Sequence, residues 1–270
     1  MRHALVQLLR CPRCRKGALR PEAPAPVLLF GPLRCPECRT SYPVAEGVAD
    51  LVLEPPASTG LQRGLENRWV ARSYERYVRP TLQRALLRQP LDPDSEYLLY
   101  RSLLGTPDGP VLDLGCGTGL VARRLAREPG FPPVAGQDVS PAMLEEGMAQ
   151  AREAGATVDF LRAKAPYLPF QDGALGAVLM VDSLHYVEDL GRLMLEVARA
   201  LRPGGRWVAS TYAPPGSASG LLHRRAGLHP RNEATLRAAA GAAGLVRFER
   251  VALPPLLVLK AEKASAETLR

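Results

Sequence analysis

Four of the five cysteines fall in two pairs, and their spacing constrains the first fifth of the chain more tightly than any other feature. Cys11 and Cys14 form one C-x2-C motif, and Cys35 and Cys38 form a second. Each motif folds as a turn that presents two thiolates on one side, and two facing turns supply four sulfurs in a tetrahedron. Because no position stays open for water, the pattern predicts a structural Zn²⁺ site, with the metal contributing much of the folding free energy of so short a segment.

Two other interpretations of the cysteines are weaker. Two disulfides require an oxidising compartment, whereas the N-terminus runs directly into the first cysteine without a secretory cleavage site, so we expect a cytoplasmic protein. Redox motifs of the thioredoxin type do not come in matched pairs.

No apolar run approaches the roughly 20 residues that span a bilayer, so we expect no membrane span.

The net charge of +8 raises the question of a nucleic-acid partner. The basic excess is +3 in residues 1–56, +2 in 57–110 and +3 in the remainder, so no segment carries a basic stripe. Of the 35 basic residues, 31 are arginines. The charge is therefore only weak support for an anionic partner.

Composition and periodicity divide the chain into three parts. We expect a zinc-ribbon domain at 1–56, a linker and N-terminal helical lid at 57–109, and a larger domain at 110–270. Proline, serine, threonine and glycine cluster at 54–60, and residues 61–104 have a helical pattern broken at Pro80 and Pro90. The aromatic residues of that helical part serve either helix packing or a lid over a pocket.

From residue 110 onward, strand-like and helix-like segments alternate. The strands are VLDL, PVAGQDV, TVDFLR, GAVLMVD and RWVASTY, with helices VARRLAREP, PAMLEEGMAQAREAG and LGRLMLEVARAL between them. This alternation predicts an α/β fold with a parallel sheet covered by helices on both faces. LVRFERVAL and PLLVLKAEK, separated by a Pro-Pro break, predict a terminal antiparallel hairpin at one edge. A small ligand would bind beyond the carboxyl ends of the parallel strands.

The first of these strands ends in a glycine-rich loop, VLDLGCGTGL. Gly115, Gly117 and Gly119 allow the backbone to turn sharply and to approach a ligand closely. Asp138, at the end of the second strand, can accept hydrogen bonds from both ribose hydroxyls of a nucleoside-type cofactor. A dinucleotide fingerprint would need glycine in place of Leu120, and the Gly-Lys-Ser/Thr of a Walker loop is missing.

The segments DLGCGTG, GQDVSPAMLE, LPFQDGALGAVLMVDSLHYVED and LRPGG together resemble a class I S-adenosylmethionine-dependent methyltransferase with a Rossmann-like sheet, across residues 110–212. The resemblance implies S-adenosylmethionine as co-substrate. The cofactor-binding residues that it implies, from the methionine end through the ribose and adenine to the reacting sulfonium, are Asp113, Gly115, Gly117, Asp138, Val139, Ala165 and Val181.

Three positions depart from that family or need a separate interpretation. Lys164 stands where the family often has an aspartate on the adenine amino group, so only the Ala165 backbone contact is carried over. Leu175-Gly176 replaces the usual Phe-Asp, which predicts a looser start to the fourth strand. Cys116 lies inside the glycine loop, and we expect it to serve in packing or backbone contact rather than as a nucleophile.

Residues 8–54 resemble a second family, the small zinc-binding activator subunit of eukaryotic and archaeal methyltransferases. The segment LRCPECRTSYPVAEGVADLV carries the resemblance. Its second C-x2-C turn is followed by Tyr42-Pro43-Val44, an acidic-Gly turn and an apolar strand. Those proteins bind and stabilise a separate catalytic subunit. The resemblance implies that this module is fused to its enzyme and packs on it as a built-in stabiliser.

Methyl transfer is an in-line displacement, in which the enzyme mainly aligns nucleophile and methyl in a dry pocket. His185, after the fourth strand, is the best candidate general base, and a structural histidine at that junction is the favoured alternative. His223 and His229 lie in the long segment PPGSASGLLHRRAGLHPRNE, which we expect to cap the substrate pocket.

The chain from SYERYVRP to the C-terminal hairpin resembles bacterial and plastid-type methyltransferases of small, often lipophilic molecules. The resemblance implies a small-molecule methyl acceptor, and RNA remains the alternative. Asp182-Ser183-Leu184-His185 does not match the Asn/Asp-Pro-Pro-Tyr/Phe motif of base-amine methyltransferases, and no spare cysteine is placed for RNA C5 chemistry. However, some rRNA guanine methyltransferases also join an N-terminal zinc module to this fold. A non-enzymatic interaction protein is disfavoured by the intact Asp113, glycine loop and Asp138.

Overall fold

Eleven strands form one mixed sheet that joins the cysteine-containing segment to the rest of the chain. The computed structural model describes residues 1–23, 25–53, 64, 67–86, 91–212, 227–253 and 256–266. The strands are β1 (Arg20–Pro21), β2 (Gly31–Arg34), β3 (Ser41–Ala45), β4 (Val48–Asp50), β5 (Val111–Leu114), β6 (Val134–Asp138), β7 (Val158–Arg162), β8 (Leu175–Met180), β9 (Leu201–Tyr212), β10 (Leu245–Leu253) and β11 (Leu256–Lys263).

Helices connect these strands and cover the sheet. They are α1 (His3–Val6), α2 (Arg68–Ser73), α3 (Arg79–Leu86), α4 (Pro93–Leu104), α5 (Leu120–Ala126), α6 (Pro141–Glu153), α7 (Leu190–Ala200) and α8 (Glu233–Ala242). A π-helical turn, Tyr74–Val78, joins α2 to α3, and a 3-10 turn, Leu184–Tyr186, follows β8. Among the described residues, no helix is long and apolar enough to cross a membrane.

The strand order is β1-β2-β3-β4-β7-β6-β5-β8-β9-β11-β10. The six strands from β4 to β9 in this order are parallel, whereas β11 runs antiparallel to β9 and β10 runs antiparallel to β11. This arrangement confirms the predicted Rossmann-like α/β class and the terminal hairpin.

Alternate side chains of the central strands pack into two hydrophobic cores, one on each face of the sheet. In β8, Val178 packs into the same cluster as residues of α7 and α8, whereas its neighbour Leu179 packs into the cluster that includes residues of α4 and α5. All six β8 residues are buried, as expected for a parallel strand covered on both faces. The start of β8 is therefore buried, but its register with β9 is irregular between Leu175 and Ala177, so the prediction of a loosened start at Leu175-Gly176 stays a prediction. A Cβ on Gly176 would lie 2.7 Å from the carbonyl oxygen of Gly109, so the missing side chain makes room for a neighbouring backbone.

The cysteine-containing segment extends this sheet. Strands β1 to β4 form an antiparallel meander, and β4 pairs in parallel with β7 through Ala49–Leu161 and Asp50–Arg162. Arg162 also donates to Asp50 Oδ2 at 2.6 Å, and the Leu51 amide donates to the Arg162 carbonyl. The two predicted domains thus share a sheet and one buried hydrophobic cluster. Their boundaries stay a prediction.

The helical part differs from its prediction at Pro80. The helical backbone was expected to break there, but it continues through this residue. The π-helical turn ends at Val78, α3 begins at Arg79, and Pro80 occupies the first turn of the new helix. Proline is tolerated in a first helical turn, where its missing N–H is not needed by the α-helical pattern. The predicted break at Pro90 and the linker at 54–60 lie outside the described residues.

The fifth predicted strand is longer than expected. β9 begins at Leu201 rather than near Arg206, because LRPGG continues the strand through an irregular register against β8. Gly205 lies at this irregularity, and a Cβ there would meet the Arg202 carbonyl oxygen at 2.8 Å. The glycine pair thus permits a bulge within the strand.

Candidate active site

A cavity of about 460 Å³ lies at the carboxyl ends of the central parallel strands. The seven residues predicted for the cofactor all line it, namely Asp113, Gly115, Gly117, Asp138, Val139, Ala165 and Val181. They come from β5, β6 and the segments that follow β7 and β8, which the parallel topology brings to one edge of the sheet. The π-helical turn and α3 also contribute residues to the cavity, among them Tyr74, Glu75 and Arg79.

The backbone of the glycine loop turns sharply and lies close to the connection after β8, as the glycines predicted. Gly115, Gly117 and Gly119 have φ angles of 72°, 55° and 74°, in the left-handed region that favours glycine. A Cβ on Gly115 would lie 2.6 Å from the Ser183 Cβ, so the loop after β5 is packed directly against the connection after β8. Any side chain at Gly115 would have to displace that connection.

The carboxylate of Asp138 is fixed beside this loop. Its Oδ2 accepts from the Gly117 amide at 2.8 Å, and its Oδ1 accepts from the Ser140 amide at 2.9 Å. Each oxygen keeps a lone pair for a further donor, which is the capacity that a ribose diol would use. Burial raises the pKa of Asp138, although these amide hydrogen bonds oppose the shift.

Asp113 is the second carboxylate of the cavity and lies deeper. It is 2% exposed, and its Oδ1 has no hydrogen-bond partner among the described residues. Burial raises its pKa to about 7. An orphaned buried carboxylate oxygen is costly, and a bound polar ligand with a cationic or donor group would relieve that cost.

The wall at the predicted adenine side is formed by 163–167, the segment after β7. Val139 and Ala165 line it, and the Val139 carbonyl is held by Arg162 Nε at 3.1 Å. Tyr167 lies between two guanidinium groups, with Arg15 5.0 Å and Arg192 5.2 Å from its ring centroid. Since Arg15 directly follows Cys14, the first cysteine turn contacts a residue of the cavity wall.

The cavity is also lined by residues that the sequence analysis did not select, namely Arg79, Asp182 and Tyr186. Tyr74, one of the aromatic residues expected to serve in helix packing or in a lid over a pocket, lines it as well. Asp182 follows β8 and has a φ of 50°, which is rare for a residue other than glycine. Its place after a parallel strand was a signal that could have identified it, whereas no spacing rule brings Arg79 to the same point.

His185 does not reach the cavity wall. Its side chain is 6% exposed and packs between Tyr186 and Tyr212, with ring centroids 4.5 Å and 5.1 Å away. Burial lowers its pKa to about 4, and Nδ1 has no hydrogen-bond partner among the described residues. These contacts fit the alternative of a structural histidine, so a general-base role for His185 stays a prediction without geometric support.

The segment expected to cap the pocket is only partly described. Residues 213–226, including His223, lie outside the described residues. Gly227 and His229, which follow them, line the cavity. The His229 amide donates to the His185 carbonyl at 2.6 Å, which ties this segment to the turn after β8.

The four predicted metal ligands converge outside the cavity lining. The Sγ atoms of Cys11, Cys14, Cys35 and Cys38 all lie within 4.8 Å of one another. The closest pairs, Cys14–Cys35 and Cys11–Cys38, are 3.5 and 3.6 Å apart. Zinc–sulfur bonds of about 2.3 Å place the sulfurs of a tetrahedron roughly 3.8 Å apart, so the cluster fits Zn²⁺.

The two cysteine turns have the same backbone. Arg15 and Arg39, each directly after the second cysteine of its pair, have φ angles of 58° and 60°. Their amides donate to the carbonyls of Cys11 and Cys35 at 2.9 and 3.0 Å. This repeated turn points two sulfurs of each pair toward the centre, as the C-x2-C spacing predicted.

Comparison with known proteins supports the assignment of the fold. Residues 111–205 match a family model described as a methyltransferase domain. A demethylmenaquinone methyltransferase of Thermus thermophilus is 38% identical over 115 residues, which are 42% of this chain and 52% of that protein. The chain spans about half the length of this curated relative.

Two solved structures have the same fold at low sequence identity. A geranyl diphosphate C-methyltransferase from Streptomyces coelicolor, in complex with S-adenosyl-L-homocysteine, aligns with a TM-score of 0.57 at 22% identity, covering 63% of this chain and 76% of that one. One chain of a complex between the Haloferax volcanii Trm112 methyltransferase activator and a methyltransferase aligns with a TM-score of 0.54 at 22% identity, covering 63% and 89%. Residues 111–205 therefore match a methyltransferase domain, and the chain has the Rossmann-like fold of class I methyltransferase structures.

Proposed function

We propose that the protein is an S-adenosylmethionine-dependent methyltransferase that acts on a small organic acceptor. The observation that carries the first part is the cavity edge formed by the glycine loop and Asp138. There a carboxylate, already oriented by the Gly117 and Ser140 amides, keeps free lone pairs for a ribose. The orphaned Oδ1 of Asp113 provides a second polar anchor in the same cavity.

S-adenosylmethionine would supply an activated methyl group, and the chain would mainly align the acceptor with it. Asp138 and the glycine loop hold the nucleoside end, which leaves the region around Val181 and Asp182 for the reacting centre. Tyr74 and Tyr186 cover that region and exclude water from it. Burial, with Asp182 nearby, raises the pKa of Tyr186 to about 12, so this phenol stays protonated and can donate a hydrogen bond.

A small acceptor fits the character of this end of the cavity. Aromatic and aliphatic side chains form its wall, including Tyr74, Met180, Tyr186 and Val187. Pockets of this kind are typical of small-molecule sites. The Thermus thermophilus relative is named a demethylmenaquinone methyltransferase, which supports an organic, non-nucleic-acid acceptor.

The cysteine cluster is proposed to hold a structural Zn²⁺ that stabilises the catalytic part. Contacts between the cysteine-containing segment and the rest of the sheet support this proposal. The amides of Arg10 and Leu51 donate across the junction, the Leu8 carbonyl accepts from the Gln171 amide, and Asp50 pairs with Arg162. The haloarchaeal complex named above pairs a methyltransferase activator with a separate chain, whereas here the contact is within one chain. A reducing compartment keeps four thiolates available for metal and fits the predicted cytoplasmic location.

The test uses purified protein, methyl-labelled S-adenosylmethionine and extract from a strain that lacks the protein. RNA, protein and organic-soluble fractions are then counted separately. We expect label in the organic-soluble fraction, with none when Asp138→Asn protein replaces the wild type. An Asp172→Asn variant, which changes a carboxylate that is 70% exposed and outside the cavity, is the matched control and should label as the wild type does.

Label in the RNA fraction would overturn the small-molecule acceptor and support the alternative of an RNA methyltransferase. The cysteine-containing segment would then position RNA rather than only stabilise the enzyme. Absence of label from every fraction, in protein that also fails to bind S-adenosylhomocysteine, would contradict methyltransferase activity itself.

A further inference from the structure

A buried cluster of polar side chains lies behind the acceptor end of the cavity. Arg79 and Gln83 of α3, Glu96 of α4, Asp182 after β8 and Ser210 of β9 meet there. Four separate elements thus converge on the point where β8 ends. Of these side chains, only Arg79 and Asp182 line the cavity.

The guanidinium of this cluster belongs to Arg79, and its short hydrogen bonds go to Glu96. Arg79 Nη2 donates to both Glu96 oxygens, at 2.7 and 2.8 Å, whereas its distance to Asp182 Oδ2 is 3.4 Å. The side chains of Arg79 and Glu96 are 12% and 6% exposed. Close, buried, charge-assisted contacts are the strong ones, so most of the Arg79 charge is balanced before Asp182 is considered.

Asp182 consequently has a carboxylate that can accept further hydrogen bonds. Its Oδ1 accepts from the Ser210 hydroxyl at 3.0 Å, and its Oδ2 has two long contacts, with Gln83 at 3.3 Å and Arg79 at 3.4 Å. An ionised carboxylate offers about four acceptor sites. Among the described residues, Oδ2 of Asp182 has no hydrogen bond shorter than 3.3 Å, so this residue of the cavity lining can accept a short one.

We propose that Asp182 determines which acceptors bind: its carboxylate accepts a hydrogen bond from a hydroxyl or amine group of the methyl acceptor, and its charge excludes acceptors with an anionic group at that point. The inference rests on the proposed function, because it assigns the acceptor end of the same cavity. Two carboxylates share one guanidinium in this cluster, so the excess negative charge faces the cavity through Asp182. An anion placed there would be repelled in a site with few waters to screen it.

The test needs no knowledge of the natural acceptor. Protein saturated with S-adenosylhomocysteine is mixed in turn with benzyl alcohol, benzylamine or benzoate, which present a neutral donor, a cation and an anion on the same ring. Ligand-observed saturation-transfer NMR at pH 7 measures binding. In the wild type we expect benzylamine and benzyl alcohol to give signals at least fivefold stronger than benzoate.

Asp182→Asn should reduce the difference between benzylamine and benzoate at least fivefold. The matched control is Glu128→Gln, which removes another carboxylate that is paired with an arginine, Arg101, and a tyrosine, Tyr97, but lies outside the cavity lining. The control should keep the wild-type order of the three probes. Calorimetry with S-adenosylhomocysteine on each variant reports whether the cofactor end is intact.

Benzoate binding as strong as benzylamine binding in the wild type would overturn the proposal, and this result does not depend on any variant folding. An unchanged probe order in Asp182→Asn, or no binding of any probe, would also overturn it. Wild-type protein that does not bind S-adenosylhomocysteine would instead contradict the proposed function, so the two failures have separate readouts.

Discussion

Single residues define the cofactor end of the cavity through backbone geometry as much as through charge. Gly115 combines a left-handed φ of 72° with a neighbour, Ser183, that leaves no room for a Cβ. Gly130 has nearly the same φ, 73°, but nothing within 4 Å of the position of its Cβ. The two glycines therefore separate the cost of backbone strain from the cost of a collision.

Gly115→Ala should lower the affinity for S-adenosylhomocysteine at least tenfold, because the new methyl group pushes the loop away from Ser183. Gly130→Ala should cost about 1 kcal/mol of stability from strain alone and leave that affinity unchanged. Calorimetry and urea unfolding of both variants check the two halves of this prediction. Equal affinities in both variants would contradict the role of the close approach.

His185 is the residue whose ionisation most clearly links the fold to pH. Its pKa is lowered by burial from 6.5 to about 4, so the folded protein holds it neutral while the unfolded chain protonates it. The contribution of His185 to the free energy of unfolding therefore falls as the pH drops from about 6.5 to about 4, whereas Asp113, whose pKa is raised to about 7, contributes in the opposite direction. Above pH 6.5 His185 makes no difference to the pH dependence.

His185→Phe should keep the ring contacts with Tyr186 and Tyr212 and remove this titration. The loss of stability between pH 7.5 and pH 4.5 should then be smaller than in the wild type by roughly 2–3 kcal/mol. Urea unfolding at the two pH values measures the difference. The same pH dependence in both proteins would show that His185 is not held neutral by burial.

At the scale of elements, the junction between β4 and β7 is where the cysteine-containing segment joins the methyltransferase sheet. Arg162 spans it, since its guanidinium binds Asp50 at 2.6 Å and the Val139 carbonyl at 3.1 Å. A second arginine, Arg152, faces the same segment, but it is 71% exposed and lies 3.9 Å from Glu46. The two arginines are a natural pair for comparison.

Arg162→Met should lower the free energy of unfolding by about 1–3 kcal/mol, because charge-assisted hydrogen bonds are lost on both sides of the junction. Arg152→Met should change it by less than about 0.5 kcal/mol, as expected for an exposed pair. Urea unfolding of both variants provides the measurement. Effects of equal size would indicate that the Arg162 contacts at the junction stabilise the fold no more than an exposed ion pair does.

The sequence predicted elements well where one rule decided the outcome. The strands at 111–114 and 158–162 are apolar runs bounded by turns, and both were found within a residue of their predicted limits. Pro80 and the start of β9 were predicted wrongly, because a π-helical turn and a bulge are settled by tertiary packing. Pairing of β4 with β7 had no sequence signal, since register across a sheet depends on both partners.

The candidate site shows the same division. Asp113, the glycine loop and Asp138 follow parallel strands, so their convergence could be predicted from alternation alone. The pair Arg79–Glu96 and the contact of Arg79 with Asp182 arise only where four elements meet, and no spacing rule predicts such a meeting. The sequence analysis therefore could not select these residues, to which the proposed acceptor specificity is assigned.

At the scale of the whole molecule, the cysteine cluster proposed to hold Zn²⁺ and the cavity proposed to bind the cofactor belong to one continuous structure. One hydrophobic cluster contains Cys11 and Cys35 together with Leu161 of β7 and Leu168 in the segment that leads from the cavity wall. Loss of the metal would release the cysteine turns and weaken the edge of the shared sheet. Metal binding is then part of the stability of the catalytic part.

Removing the metal with a strong chelator should lower the melting temperature by roughly 10 °C or more, since structural zinc contributes several kcal/mol. Cys35→Ser should abolish binding of one metal ion per chain, whereas Cys116→Ser, outside the cluster, should retain it. Metal analysis and thermal unfolding test both statements. A melting temperature that is indifferent to chelation would contradict a stabilising role.

The central claim is that the cavity beside the glycine loop binds the nucleoside of S-adenosylmethionine through Asp138. Titration calorimetry of S-adenosylhomocysteine into the full chain, as wild type and as Asp138→Asn, tests it most directly. We predict one binding site per chain and an affinity at least tenfold lower in the variant, because a charge-assisted hydrogen bond contributes about 1.5–3 kcal/mol. No binding by the wild type, or equal binding by both proteins, would contradict the account.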